Sequence, residues 1–440
     1  MEFKIRNDIR IRSKSLQTFL MKDYDYEDLS CSVAYFVDKI QKLKADNHQI
    51  GVMFGFLSFA SVSCMLALIK SKIDYTIIYY TGDMIPDNAD NYCSHAFLLG
   101  PFDNQVKIIE HINQKPGFYT NVNDSNIEEQ IISYHRKDDL IFEFGSDQKI
   151  YALMAGNDKV ELIQATGKIE ESSISAAMQH YYSPDDYCLL YRPCRHIGVA
   201  TLSVYPALFK AKTIVLCVDQ GEWTSEIDPA THVHFGFNMI QEKWPLPKKL
   251  RILTTGGYSF NSDCINYVTS ISEIDQIIDC YGTYLCPPPL AIRELSKIED
   301  NAITPFKWIN EFIRPLNINN ILYFETTDKI TFQNLLTTRL NKFFESNIMP
   351  THDRIKNIDE NTFYFYGRSS HVVRVNHMQW TESSFVQFAY EKTNIKDLKV
   401  DFKTLNGIDV PVIKVNSKYR HIIQDFILSN YVEAELEYHD

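Results

Sequence analysis

Ile50-Gly51-Val52-Met53-Phe54-Gly55-Phe56-Leu57-Ser58-Phe59-Ala60-Ser61-Val62-Ser63-Cys64-Met65-Leu66-Ala67-Leu68-Ile69 carries no charged side chain and is long enough to cross a bilayer. Read as a span, it makes the chain a membrane protein. Read as strand, turn and helix, it makes the chain an α/β protein. The residues favour the second reading. Gly51 to Phe54 is a short apolar run ending at Gly55, the pattern of a buried strand and a turn. Ser58, Ser61 and Ser63 are poorly placed in lipid but suit a helix over Phe59 to Ile69 buried in protein. The β-prone Tyr75-Thr76-Ile77-Ile78-Tyr79-Tyr80 follows at once and completes a strand–helix–strand unit. No membrane partner is expected.

The same alternation extends outward. Residues 29–48 carry Val33, Phe36, Val37, Ile40 and Leu43 at helical spacing. Ala96 to Leu99 reads as a strand leading into Val106 to Ile112, and Leu140 to Phe144 as another strand. Tyr187 to Tyr191, Thr213 to Val218, Leu250 to Thr254 and Ile277 to Tyr281 are further strands, with Gly198 to Phe209 a helix between the first two. Short apolar runs alternating with helices predict an α/β fold of stacked, mostly parallel sheets with flanking helices. From about residue 316 to 368, Asn, Asp and Thr become common and the strands read as antiparallel, Thr362 to Tyr366 most clearly. Residues 369–440 read as a small α+β piece with an acidic end.

At 440 residues with 45% hydrophobic content, the chain can bury a sizeable core. Its 44 basic and 56 acidic residues argue against nucleic-acid binding, which needs Lys and Arg gathered on one face. The densest basic segment, Lys243 to Arg251, contains Trp244 and two prolines and reads as a solvated loop entering a strand. The nine cysteines form no Cys-x-x-Cys pair, and most sit in apolar runs. With a start that lacks an apolar signal region, they point to a reducing cytoplasm. His232-x-His234 reads as structural, and Cys194 beside His196 carries no established thiol mechanism.

Six fragments recur in a fixed order: Thr166-Gly167-Lys168, Arg192-Pro193-Cys194-Arg195-His196, Thr254-Thr255-Gly256-Gly257, Tyr281-Gly282, Asp353 and Gly367-Arg368. In this order the chain resembles the ANL superfamily of adenylate-forming enzymes, which includes acyl- and aryl-CoA synthetases, peptide-synthetase adenylation domains and luciferases. The resemblance extends over most of the chain. It implies a large N-terminal domain over 1–368, with its β-rich subdomain at about 316–368, and a shortened, mobile C-terminal domain over 369–440. ATP or AMP and a carboxylic acid would bind between them.

The resemblance implies a role for each fragment. Thr166, Gly167 and Lys168 are what remains of the Gly-rich phosphate loop, S-S-G-T-T-G-x-P-K, whose backbone N–H groups and small hydroxyls hold phosphates. The position of its last Lys holds Glu170, which would repel phosphate. An ordinary strand and turn before a helix is the alternative reading of this fragment. His196 falls beside the acyl pocket, whose lining is expected from Ala200 to Tyr205 and Tyr258 to Asp263. Gly256 and Gly257 form the turn against which adenine packs. Tyr281, Gly282 and Thr283 occupy the Y-G-x-T-E signature, in which the tyrosine ring faces adenine. The threonine and glutamate of that signature are replaced by Tyr284 and Leu285, so Mg²⁺ loses its carboxylate. Asp353, in Thr351-His352-Asp353, matches the T-G-D carboxylate that accepts the ribose hydroxyls, and Arg368 the G-R after it. Ser370 falls at the hinge. The nearest candidate for the catalytic lysine is Lys418, which follows Gly367-Arg368 sooner than the family spacing.

The groups retained are those that bind adenosine; the groups replaced are those that neutralise phosphate. Two functions follow as expectations. One is a divergent ATP-dependent ligase that joins an acyl or aryl acid, through an acyl-adenylate, to the thiol of CoA or a phosphopantetheine carrier protein. The other is a catalytically degenerate member that holds an acyl, pantetheine or nucleotide group for a partner enzyme. A third, use of the thiol-transfer half alone, would need CoA or a carrier without ATP.

Overall fold

Ile50–Phe54 is a strand, Phe59–Lys70 a helix and Tyr75–Tyr79 a second strand parallel to the first. The serines of this stretch are used by the helix itself. Ser61 N–H donates to Ser58 Oγ at 3.2 Å and Ser58 N–H to Ser61 Oγ at 2.7 Å, a reciprocal N-terminal cap. Ser63 Oγ donates to Phe59 O at 2.8 Å. No helix among the described residues is long and apolar enough to cross a membrane. The computed structural model describes residues 2–15, 20–45, 50–54, 57–79, 95–99, 120–121, 127–145, 148–155, 160–191, 200–217, 220–236, 239–240, 242–256, 262–282, 289–295, 304–333, 343–368, 372–375, 378–405, 408–430 and 432–439.

The strands form two parallel groups joined by antiparallel ones. In the first group Thr120–Asn121, His95–Leu99, Ile50–Phe54, Tyr75–Tyr79 and Lys149–Ala155 pair side by side. In the second, Arg10–Lys14, Thr213–Cys217, Tyr187–Tyr191, His232–His234, Lys249–Gly256 and Glu273–Tyr281 do the same. From Glu273–Tyr281 the pairing turns antiparallel through Ala291–Leu295, Phe306–Trp308, Thr362–Arg368, Phe343–Asn357 and Ile321–Gln333. Ile321–Gln333 meets Val160–Thr166, which pairs with Lys149–Ala155 and closes the path. After the second parallel group, antiparallel pairing starts at Ala291, ahead of the expected 316, because Ala291–Leu295 folds back on Glu273–Tyr281; earlier antiparallel pairs join Arg10–Lys14 to Met21–Tyr24 and Lys149–Ala155 to Val160–Thr166.

Both faces of the second parallel group are covered. Cys188, Leu190, Ile214, Leu216 and Ile252 enter a core with Phe36, Phe59 and Tyr205. The alternating Leu189, Val215, Val233 and Leu253 enter another with Trp223 and Trp244. Two buried faces are why these strands read as continuous apolar runs. Trp244 corrects the expectation for Lys243 to Arg251: the lysines are exposed, but the indole is buried and anchors the segment. Leu140 to Phe144 is shorter than expected, with only Ile141–Phe142 paired, to Phe3–Lys4. The helix expected over Gly198 to Phe209 is a buried π-helical turn, Ala200–Val204, running into Tyr205–Lys210. Val106 to Ile112 lies outside the described residues.

A third core gathers Tyr281, Phe306, Trp308, Phe324 and Phe363. A fourth is built from Val373 to Val432, where helices Glu382–Thr393 and Arg420–Ser429 cover the sheet Lys399–Leu405, Ile408–Asn416 and Glu435–His439.

Candidate functional site

The strands of the second parallel group end along one edge, with Gly256 opposite Cys280 and Tyr281 next in line. Ligands of open α/β sheets bind beyond such carboxyl ends. The Tyr281 ring lies 5.7 Å from Phe306, 5.6 Å from Phe363 and 6.0 Å from Phe365, centroid to centroid. Its hydroxyl donates to Asp353 Oδ2. Asp353 is 0% exposed and Tyr281 8%. Thr351 Oγ1 accepts the Asp353 N–H at 3.0 Å and donates to Leu322 O at 2.7 Å, which sets the strand under the carboxylate. Asp353 stands opposite Arg368, and Arg354 opposite Gly367, in the antiparallel pair. The fold therefore brings Gly256, Tyr281, Gly282, Asp353 and Arg368 to one place.

A pair that sequence reasoning passed over lies next to them. Asp279 Oδ2 accepts from Arg293 Nε and Nη2, both at 2.8 Å, and the guanidinium lies 4.6 Å from the Phe306 ring centroid. Burial pushes the Asp279 carboxyl up, and Arg293 opposes that shift. An Asp inside the otherwise apolar Ile277-Ile278-Asp279-Cys280-Tyr281 was the available signal. Buried carboxylates need a partner.

The Thr166-Gly167-Lys168 fragment is not a loop. Thr166 ends a strand, opposite Lys149, and Gly167 begins the helix Gly167–His180. The Gly167 N–H donates to Gln148 O at 2.9 Å, so it is committed within the chain. A Cβ at Gly167 would collide with the Gly145 carbonyl oxygen and come within 3.2 Å of Phe144 Cβ. The glycine serves strand–helix packing, as the alternative sequence reading has it. Lys168 is exposed, its ammonium 5.2 Å from the Phe312 ring centroid. Glu170 does not face a phosphate site as expected. It is buried on the helix, burial pushes its carboxyl up to about 8, and Oε2 has no hydrogen-bond partner among the described residues.

Gly256 also has a different reason from the one expected. A Cβ there would lie 2.7 Å from Cys280 O, so its bareness lets the next strand close up. His196, Gly257 and Thr283 lie outside the described residues, as do the rest of Arg192 to Arg195, Tyr284, Leu285 and Ser370. Lys418 lies on an exposed turn, with its ammonium 4.7 Å from the Tyr419 ring centroid, and is not among the groups around Asp353. The expected pocket helix is present in part: Tyr182 Oη lies 3.1 Å from Leu202 O and 3.2 Å from Ser203 O, within the π-helical turn. Such turns release carbonyls from the helix ladder, and here a phenol takes them up.

Asp186, Cys188 and His232 bring ligand-type atoms within 4.8 Å of one another, in a buried cluster. The cation there is the chain's own. Arg251 Nε donates to Asp186 Oδ1 at 2.8 Å and Nη2 to Oδ2 at 2.5 Å. Burial pushes Asp186 up, but His232, with Nδ1 3.5 Å away, and the hydrogen-bonded Arg251 outweigh it and hold the carboxyl at about 2. His232 Nε2 and His234 Nδ1 both reach Thr254 Oγ1, at 3.3 and 3.0 Å. This network ties strands together and offers no metal site.

No protein-family model and no curated protein sequence matches the chain. Solved structures do. An amide bond synthetase, McbA from Marinactinospora thermotolerans, superposes with a TM-score of 0.67 at 10% identity, over 95% of this chain and 91% of that one. The anthranilate CoA ligase AuaEII in complex with anthranoyl-AMP gives 0.64 at 10% identity, over 95% and 89%. McyG A-PCP complexed with phenylalanyl-adenylate gives 0.63 at 12% identity, over 99% and 89%. At these identities the likeness is one of fold, which the chain shares with these structures over at least 95% of its length.

Proposed function

We propose that the chain is a divergent carboxylate ligase that binds ATP or AMP and activates an acyl or aryl acid as its adenylate, for transfer to CoA or a carrier-protein thiol. The observation that carries this reading is the meeting of Tyr281 and Asp353 at the carboxyl edge of the parallel sheet, with Arg368 opposite Asp353 in the strand pairing. An aromatic ring and a carboxylate are groups that adenosine requires: a face for the base and an acceptor for ribose hydroxyls. The neighbours solved with anthranoyl-AMP and phenylalanyl-adenylate support the substrate class.

The phosphate side supports a second reading, a pocket that holds its ligand without cleaving ATP. The Gly167 amide is committed, Glu170 stands where the family has lysine, and Lys418 is on an exposed turn. Asp279 is paired with Arg293, so it is not an available Mg²⁺ ligand. Calorimetric titration with ATP and AMP is the first test. Binding by the wild-type chain, abolished by Asp353→Ala, is expected; a folded chain that binds neither nucleotide would sink the adenylate reading. Pyrophosphate release with a panel of acids then separates ligase from holder. The acceptor arm offers CoA, a carrier protein and, because one structural neighbour is an amide bond synthetase, an amine.

A further inference from the structure

We propose that Tyr281 is a latch on the ribose carboxylate: in the resting chain its hydroxyl fills a donor position on Asp353 that a ribose hydroxyl takes when a nucleotide binds. The proposal rests on the adenosine-pocket reading above and adds a closed state to it.

A phenol and a ribose alcohol are both neutral O–H donors, and a carboxylate accepts either in a short, charge-assisted bond. In this structure the donor is Tyr281, and Asp353 has no surface left for a second molecule to reach. The main chain under the carboxylate is fixed, because the Asp353 N–H is held by Thr351 and its strand is paired with Thr362–Arg368. The tyrosine is the part that can leave. Its ring is held by Phe306, Phe363 and Phe365, so leaving loses aromatic contact. One hydroxyl replacing another gains little. The second ribose hydroxyl and the base must therefore offset the ring's departure. The side chain that the family resemblance assigns to adenine is thus also the one that closes the site. Apparent nucleotide affinity is then the intrinsic affinity reduced by the fraction of open chains.

Tyr281→Phe separates the two roles, since phenylalanine keeps the ring in its aromatic nest and removes only the hydroxyl. The closed state then holds a carboxylate short of a donor, which a ribose supplies. Calorimetry with AMP on the full chain is expected to show Tyr281→Phe binding about tenfold tighter than wild type, about 1.4 kcal/mol, with Asp353→Ala binding none. Melting temperatures of Tyr281→Phe, Asp353→Asn and the double variant test the contact without any nucleotide, and non-additive losses are expected. Additive losses overturn the latch. Equal or weaker AMP binding by Tyr281→Phe, with Asp353→Ala still inactive in binding, also overturns it and leaves the nucleotide site intact. Non-additive losses with no AMP binding by any variant overturn the adenosine reading, and the gate with it, leaving a structural contact.

Discussion

Burial, with Oε2 unpartnered among the described residues, gives Glu170 its character: the helix carries the carboxyl out of water, where the neutral acid is favoured up to about pH 8. The sign of its effect follows. The unfolded chain ionises near the ordinary carboxylate value while the folded chain stays protonated. Stability from this group is thus fully present at low pH and falls as pH rises through that window, by about 1.4 kcal/mol per pH unit. Glu170→Gln removes the dependence. Urea denaturation is expected to show the variant's advantage over wild type growing from about pH 5 to about pH 8; a constant difference would count against a neutral Glu170. His232 tilts the other way. Burial lowers its pKa, against the pull of Asp186, so the folded chain disfavours the imidazolium and loses stability as pH falls below the ordinary histidine value.

The Val160–Thr166 strand and the helix that follows it share a tight joint, and the glycine at that joint is needed for packing. The same holds at the end of Lys249–Gly256, where the neighbouring strand's backbone leaves no room for a side chain. Gly256→Ala is expected to cost about 1–3 kcal/mol by overpacking, since the atom it meets is a backbone carbonyl that cannot rotate away. Chemical denaturation reads this directly. Lys168→Ala, by contrast, removes an exposed lysine at a joint with no open phosphate cradle, so AMP affinity is expected to stay within about twofold of wild type. A large loss would restore the phosphate role to this fragment. The resemblance made Gly256 ligand-facing and left Gly167 between a phosphate loop and an ordinary strand and turn, because a bare Cα looks the same in a chain whether a nucleotide or a neighbouring strand needs the space.

Arg251, Asp186, His232 and Thr254 hold the molecule together across long gaps in sequence. Arg251 also donates to Tyr181 O at 3.0 Å, which fastens the end of the Gly167–His180 helix to the sheet. Asp186 is 1% exposed, so removing its cation leaves a buried charge unpaired. Arg251→Met is expected to cost about 3 kcal/mol, at the lower end for a buried pair because its guanidinium reaches solvent. Asp186→Asn in the same chain should restore part of that loss, and urea denaturation of the three variants checks it. With Asp186 held near 2, its contribution is present above the ordinary aspartate value and is lost as pH falls through about 2. At the same scale, the separate core built from Val373 to Val432 supports a boundary near 369, which we propose as the hinge. Limited proteolysis is expected to cut there first and leave a resistant fragment on the N-terminal side.

The alternation of apolar runs and helices determined the α/β class from sequence alone, because strands covered on both faces must be apolar at every position, as Cys188 to Leu190 and Ile214 to Leu216 are. The strand–turn–helix pattern of the opening stretch, with its serines, likewise argued against a membrane span, and the structure uses those serines to cap and brace a helix. The order of fragments was enough to name the resemblance that the superpositions bear out as a fold. Tertiary structure alone decided what those fragments touch. Whether Gly167 faces a phosphate or Gly145, whether Asp353 is open or capped by Tyr281, and whether Asp186 holds a metal or Arg251 all depend on residues far away in the chain. A side chain's type is written in the sequence; its partner, its burial and therefore its charge are set only when distant strands close against one another.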